Sequence, residues 1–168
     1  MRKLLDGLYA ASAWLAGLCM IGVLAMVLLT IASRLLGFAA PGSDSYAGYA
    51  MAGAGFMALA GTLKKGEHIR VTLFIGMLRG RAAKVAEVLA LAIATALSAF
   101  LAWYSAHLVW QSWEIGDVSM GIDATPLWIP QLTMAAGTFV FFIAFCDELV
   151  LELLGRRTPR SVEDAHHE

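Results

Sequence analysis

Four long apolar stretches without a charged side chain divide the sequence. They comprise 27, 19, 26 and 23 residues, at positions 7–33, 45–63, 88–113 and 124–146. About 20 apolar residues form a helix that crosses the ~30 Å hydrocarbon core of a bilayer. Spanning strands would instead show alternating segments of about 10 residues. The pattern therefore predicts an all-α membrane protein with four transmembrane helices. We expect these helices at residues 8–33, 45–63, 86–113 and 126–150.

The lysine and arginine residues predict the orientation of these helices. Eleven of the twelve lie at the N-terminus, between the second and third stretches, or after the fourth, and Arg34 is the exception. Connections rich in Lys and Arg are retained in the cytoplasm. We therefore expect both termini in the cytoplasm, a single membrane domain over residues 1–155, and a polar cytoplasmic tail over residues 156–168.

Composition supports the membrane assignment and excludes several classes of function. Apolar residues make up 60% of the 168 and charged residues 15%, against roughly 45–50% and 25% in soluble domains. The net charge of −1 gives no reason to expect nucleic-acid binding. Two cysteines, Cys19 and Cys146, are too few for a disulfide framework or a four-thiolate metal site.

The second stretch differs from the others because it is rich in small residues. Ten of the eighteen residues from Tyr46 to Leu63 are Gly or Ala, and such residues let helix backbones approach closely in lipid. A helical period places five of them on one narrow stripe: Ala47, Ala50, Ala54, Ala58 and Gly61. This stripe is expected to pack either within the four-helix bundle or on a partner subunit.

The connection between the second and third helices is basic but also carries apolar residues at helical spacing, between Ile69 and Leu78. This pattern predicts a short amphipathic helix at the cytoplasmic membrane interface; a solvated loop is the alternative. Aromatic residues at the other end of the third helix are typical of an interfacial belt. The side chains expected to contact lipid are Lys64, Lys65, Arg70, Phe74, Arg79, Arg81, Trp110 and Trp113.

Acidic residues are expected at the cytoplasmic end of the fourth helix, where the helix dipole disfavours them. Asp147, Glu148 and Glu152 are therefore expected to pair with basic residues of the second connection or of a partner.

Neither an enzyme nor a self-sufficient carrier is predicted. Metal-ligand spacing, a phosphate-binding glycine loop and a serine nucleophile elbow are all missing. His107 is the sole histidine within the four stretches, whereas haem ligation between helices normally uses pairs. Proton-coupled carriers usually bear an ionisable residue deep in a helix, and no stretch has a central carboxylate. These features indicate an accessory membrane subunit without a cofactor.

Two short motifs resemble a known transporter family. The first reads Gly-Glu-His-Ile-Arg-Val at residues 66–71, followed by Thr72 where the family often has Asp. The second is Ser-Met-Gly at residues 119–121 followed by Pro-Leu-Trp-Ile-Pro at 126–130. With Ser33 and Arg34 at the end of the first helix, the chain resembles the small permease subunit of tripartite ATP-independent periplasmic (TRAP) transporters. Asp44 alone stands where that family often has two acidic residues.

The resemblance implies a role in a bacterial inner membrane. Such a subunit would support a large permease subunit, which holds the substrate site and the sodium or proton coupling site. A periplasmic substrate-binding protein would deliver a small solute, expected to bear a carboxylate. Four charged residues on the expected periplasmic side are candidates for docking that protein: Arg34, Asp44, Glu114 and Asp117.

Three other functions are compatible with the same pattern of helices. The small subunit of tripartite tricarboxylate transporters has a similar size and role. A homo-oligomeric small exporter would transport without a larger partner. A membrane redox subunit would show a haem spectrum.

Overall fold

The structure is a computed structural model that describes residues 2–65 and 81–154. Within these residues it contains four α-helices and no strand beyond an isolated β-bridge, so the expected all-α fold is confirmed for this part of the chain. The helices are α1 (Arg2–Leu36), α2 (Ser43–Lys65), α3 (Arg81–Ile115) and α4 (Trp128–Leu153). The expected interfacial helix between Ile69 and Leu78 and the polar tail lie outside the described residues.

Three of the described helices are long and apolar enough to cross a membrane, namely α1, α3 and α4. The prediction of four spanning helices is thus confirmed for three. The 23 residues of α2 would measure about 34 Å at ~1.5 Å per residue, which is long enough to span. Composition rather than length sets α2 apart, because its many Gly and Ala residues contribute little hydropathy.

The helices lie side by side in the order α1, α2, α4, α3. α2 packs against both α1 and α4, while α3 packs against α4. A hydrogen bond from Tyr49 to Asp123 joins the start of α2 to the residues before α4, and Lys64 pairs with Asp147 near the other end. α2 and α4 therefore run parallel. The least apolar helix, α2, therefore has neighbours on two sides, as α4 does.

The surface that α1 turns toward α2 is small or polar. Tyr9, Ser12, Ala16 and Ser33 are buried there, at spacings that place them on one side of a helix. The Ser12 hydroxyl donates to the carbonyl of Met57 in α2. The outer surface instead carries large apolar side chains, including Leu4, Leu18, Leu24 and Leu28. This is the reverse of a water-soluble helix, as expected where lipid is the solvent.

Serine residues also line one side of α3. Ser98, Ser105 and Ser112 recur every seventh residue and are buried. The Ser98 hydroxyl donates to the carbonyl of Thr95 at 2.9 Å. Ser105 donates in the same way to Leu101 at 2.8 Å. Because these two hydroxyls are satisfied within α3, they need no partner from α4, and their small size lets the two helices approach closely.

The backbones of α2 and α4 come close together at Gly137, a buried residue in the middle of α4. A β-carbon built on Gly137 would lie 2.5 Å from the carbonyl oxygen of Phe56 and 2.6 Å from its carbonyl carbon. These are backbone atoms of a regular helix, so they have little freedom to move aside. Only glycine fits at this position without separating the helices.

Replacing Gly137 by alanine should therefore push α4 away from α2. We expect Gly137→Ala to lower the free energy of unfolding by about 1–3 kcal/mol, the usual cost of overpacking. The measurement is the thermal unfolding midpoint of the purified protein in detergent. Gly17→Ala in α1 is the matched control, because a β-carbon there meets nothing within 4 Å. Equal midpoints for the two variants would contradict the close contact at Gly137.

Candidate functional site

Among the described residues, most hydrogen bonds and ion pairs between side chains of different segments lie near the two ends of the helix layer. We call one the loop end, because it carries the α1–α2 connection (37–42) and the α3–α4 connection (116–127). We call the other the terminus end, because it carries the start of α1 and the last turns of α2 and α4.

The α3–α4 connection folds back on itself and has a defined conformation. The Ser119 N–H donates to the carbonyl of Thr125 at 2.8 Å, and the Leu127 N–H donates to that of Asp117 at 2.9 Å. Ala124 has a φ of +44°, in the left-handed region that residues other than glycine seldom adopt. The connection is thus an ordered turn rather than a simple link between helices.

The carboxylate of Asp123 fastens this connection to α2. It accepts a hydrogen bond from the Tyr49 hydroxyl at 3.1 Å and another from the Ser119 hydroxyl at 3.3 Å. A second bridge to α2 is made by the Thr125 hydroxyl, which donates to the Tyr46 hydroxyl at 3.2 Å. Two tyrosines of α2 therefore hold a connection that is more than 70 residues away in sequence.

These hydrogen bonds stabilise the ionised form of Asp123. The nearby hydroxyl groups of Thr125, Ser45 and Tyr49 lower its pKa from 3.8 to about 2, because polar groups around a carboxylate stabilise its charged form. The carboxylate therefore remains charged at neutral pH. We refer to the group as the Asp123 network, which comprises Ser45, Tyr46, Tyr49, Ser119, Asp123 and Thr125.

Gly42 makes room for the network at the start of α2. Gly42 has a φ of +82°, a conformation in which a residue with a β-carbon would be sterically strained. A β-carbon built there would lie 2.9 Å from the β-carbon of Asp123. The connection before α2 and the connection before α4 are thus in direct contact at the loop end.

The four charged residues expected to dock a partner all lie at the loop end and are exposed. Arg34 is in the last turn of α1, and Asp44 is in the first turn of α2. Glu114 is near the end of α3 and Asp117 follows that helix. Within the described residues, no ion pair joins any two of them. They form separate charges around the loop end rather than one cluster, and their docking role stays a prediction.

The two tryptophans expected at the membrane interface are both exposed and lie in the last two turns of α3. Trp113 also contacts Trp128 edge to face, with ring centroids 4.7 Å apart. Trp110 and Trp113 therefore stand at one level of the helix layer, near the loop end. Contact with lipid headgroups stays a prediction for both.

At the terminus end, Lys64 connects three helices. Its ammonium forms an ion pair with Asp147 and lies 3.5 Å from Oε1 of Glu148, both in α4. It also lies 5.1 Å from the ring centroid of Tyr9 in α1, within the range of a cation–π contact. The expected pairing of these carboxylates with the second connection is confirmed for Lys64. The same ammonium was expected at lipid headgroups, and that contact stays a prediction.

The predicted small-residue stripe of α2 is turned largely toward the protein interior. Ala54 is buried, and the other four members are partly buried. A β-carbon built on Gly22 of α1 would lie 3.7 Å from that of Ala50, and one built on Gly61 would lie 3.6 Å from that of Ala13. Packing within the chain thus occupies at least part of the stripe. A role in packing on another subunit stays a prediction.

Five of the residues expected to contact lipid lie wholly or in part outside the described residues. Arg70, Phe74 and Arg79 lie outside the described residues, and the side chains of Lys65 and Arg81 do so as well. Within the described residues, no group of three or more His, Cys, Asp or Glu side chains is arranged to hold a metal ion. The polar side chains of the described residues join neighbouring helices at both ends of the layer and leave exposed charges at the loop end.

Comparison with known proteins identifies the family. The family model described as "Tripartite ATP-independent periplasmic transporters, DctQ component" matches residues 23–155, which is most of the chain. The chain belongs to this family. It is thus a small permease subunit of a TRAP transporter, as its motifs after the second helix and before the fourth predicted. No curated protein matches the sequence. The family is one of transporter components rather than enzymes.

The Asp123 network of this small permease subunit was not found by sequence reasoning. Asp123, Tyr46 and Tyr49 were not among the candidate site residues. Tyrosine near the start of a membrane helix and aspartate near a proline are weak signals by themselves. Only the fold shows that α2 and α4 are parallel neighbours, which brings their first ends together.

The depressed pKa of Asp123 leads to a prediction about pH. Because the pKa of Asp123 is lower in the folded than in the unfolded state, its carboxylate stabilises the fold at pH values above about 4. That contribution should disappear as the pH falls from about 4 toward 2. We expect Asp123→Asn to lower the unfolding midpoint at pH 7, and the difference from the unsubstituted protein to shrink below pH 4. A difference that stays constant from pH 7 to pH 3 would argue against an ionised Asp123 in the network.

The ion pairs of Lys64 lead to a second prediction. Lys64→Met leaves two partly buried carboxylates without this partner, so the free energy of unfolding should fall by about 1–3 kcal/mol. Adding Asp147→Asn should restore part of that loss, because one of the two negative charges is then removed. Thermal unfolding of both single variants and the double variant measures the coupling. Strictly additive losses would show that Lys64 and Asp147 do not interact.

Proposed function

We propose that this subunit is the static support of the large permease subunit during ion-gradient-driven uptake of a small, carboxylate-bearing solute delivered by a periplasmic binding protein. Family membership supports this class of transporter. The structural observation that carries the proposal is that α2 and α4 are joined at both ends. Lys64 binds α4 at the terminus end, and Tyr49 binds Asp123 at the loop end.

A support needs helices that do not slide past one another while a partner moves. Sliding α2 by one turn, about 5.4 Å, would break the Lys64 ion pair and the Tyr49 hydrogen bond together. The same shift would move Phe56 away from Gly137, which has no β-carbon and so leaves space for the Phe56 carbonyl. Three contacts along the length of the α2–α4 pair therefore oppose the same movement.

We place both termini in the cytoplasm and the loop end in the periplasm of a bacterial inner membrane. The support for this orientation is the distribution of positive charge, with Arg34 as the sole exported Lys or Arg. We also propose that α2 crosses the membrane with the other three helices. Its length is sufficient, and α1 and α4 cover two of its sides.

Contacts with the two membrane interfaces would fix the position of the subunit along the membrane normal. We assign the basic connection, with Lys65, Arg70, Phe74, Arg79 and Arg81, to the cytoplasmic interface. Trp110 and Trp113 would contact the periplasmic interface, where tryptophan is favoured. These two anchors lie on opposite sides of the membrane in the proposed orientation, so together they would prevent tilting against the moving subunit.

Co-purification and reconstitution test the proposed function. The tagged chain, extracted from native membranes, should bring a large permease subunit with it, identified by mass spectrometry. Proteoliposomes that contain both subunits, supplied with the binding protein, should take up solute only under a sodium or proton gradient. Liposomes with either subunit alone are the control. Full uptake by the large subunit alone would overturn the proposal.

Substitutions on the two sides of α2 test how the support is built. Ala54 is buried within the subunit, whereas a β-carbon on Gly55 meets nothing within 4 Å. Ala54→Leu should lower the free energy of unfolding of the purified subunit by about 1–3 kcal/mol and reduce recovery of the large subunit. Gly55→Leu should leave the stability of the isolated subunit unchanged or raised. Normal stability of Ala54→Leu would contradict packing of the stripe within the chain.

A further inference from the structure

The α3–α4 connection exposes three large apolar side chains, while several of its polar side chains form hydrogen bonds. Met120 is fully exposed, Ile122 is 85% exposed and Val118 is 51% exposed. The residues that alternate with them include Ser119 and Asp123, whose side chains are hydrogen-bonded to each other. We call the three exposed side chains, Val118, Met120 and Ile122, the apolar ridge.

The apolar ridge lies on the connection that the Asp123 network holds against α2. Asp123 accepts a hydrogen bond from Tyr49 and Thr125 donates one to Tyr46, so these polar side chains of the connection face the start of α2. The three side chains of the ridge are exposed on the same connection, at the loop end of the helix layer.

The apolar ridge is also held in place before any partner arrives. The main-chain bonds Ser119 to Thr125 and Leu127 to Asp117 close the connection, and Tyr49 fixes it to α2. A preorganised surface loses little conformational freedom when it binds. Exposed apolar side chains on an ordered segment with polar surroundings are typical of a protein interaction site.

We propose that the apolar ridge is a docking contact for the periplasmic binding protein. This inference rests on the proposed function, which places the loop end in the periplasm. Exposed carboxylates lie at the same end of the protein, on Asp44, Glu114 and Asp117. A negatively charged surface disfavours insertion among anionic lipid headgroups and favours a soluble partner. The complementary surface would be an apolar patch bordered by lysine or arginine side chains.

The apolar ridge and the exposed carboxylates would contribute to binding in different ways. Burial of Met120 and Ile122 removes apolar area from water, which slows dissociation of the complex. The carboxylates act over a longer range and raise the rate of association at low salt. Binding should therefore have one component that depends on salt and one that does not.

Binding measurements on the whole transporter test the apolar ridge. The complex of both membrane subunits is placed in nanodiscs, and the affinity of the transporter's own binding protein is measured by biolayer interferometry. Met120→Ser with Ile122→Ser should weaken binding at least ten-fold at both about 50 mM and about 500 mM salt, where the Debye length is about 14 Å and about 4 Å. Asp117→Asn should slow association at the lower salt concentration only. Leu4→Ser is the matched control, since Leu4 is 80% exposed at the opposite end.

The possible results separate this inference from the proposed function. Unchanged affinity of the double serine variant would overturn the docking role of the apolar ridge and leave the proposed function standing. Loss of the large subunit from that variant would place the ridge in the intramembrane interface and also overturn it. Quenching of a fluorophore on Met120→Cys by nitroxide lipids would place the ridge in the bilayer, with the same consequence. Failure of the unsubstituted complex to bind its binding protein would instead overturn the proposed function.

Discussion

The close packing of α2 between α1 and α4 is the constraint on which the rest of the structure depends. Gly53 shows it at a single residue of α2. A β-carbon there would lie 3.2 Å from Sγ of Cys19 in α1 and 3.4 Å from Oγ1 of Thr133 in α4. A helix rich in Gly and Ala has little apolar surface to offer lipid, but it allows both neighbours to approach its backbone. This composition allows α2 to lie between two helices.

Polar groups serve this packing differently at the middle and at the ends of the layer. Hydroxyl groups in the middle are small and bond mainly to carbonyls of their own helix, as Ser98 and Thr138 do. Ionised groups with partners in another helix, such as Lys64 and Asp123, lie near the ends, where water is closer. An ionised group costs far less free energy there than in the hydrocarbon core. The small hydroxyl residues in the middle of the helices thus let neighbouring helices pack closely. The ionised groups near the ends fix the register of one helix against the next.

The sequence predicted the helices because lipid requires long uncharged stretches, and these can be read directly. The expected spans 8–33, 45–63 and 86–113 lie within α1, α2 and α3, which continue for several residues into less apolar surroundings. The small stripe of α2 was also visible at helical spacing. The helices that cover this stripe could not be predicted, because periodicity defines a side of a helix but not which helix packs against it.

The contacts between distant residues were beyond a reading of one sequence. Tyr49 and Asp123 are 74 positions apart, and nothing local marks them as partners. The pairing of Lys64 with the carboxylates of α4 was easier to expect, because acidic residues at the end of a helix need compensation. The family motifs were recognisable because they are short and contiguous.

The modest hydropathy of α2 has a consequence for the order in which the protein is made. α2 leaves the ribosome before α4, and its small residues then have α1 alone as a neighbour. α2 is therefore poorly suited to partition into lipid by itself and should enter the membrane as a hairpin with α1. The side of α2 that later packs against α4 would stay uncovered, near the insertion machinery, until α4 is synthesised. Assembly of the layer would thus be completed only after synthesis of the last helix, α4, which packs against both α2 and α3.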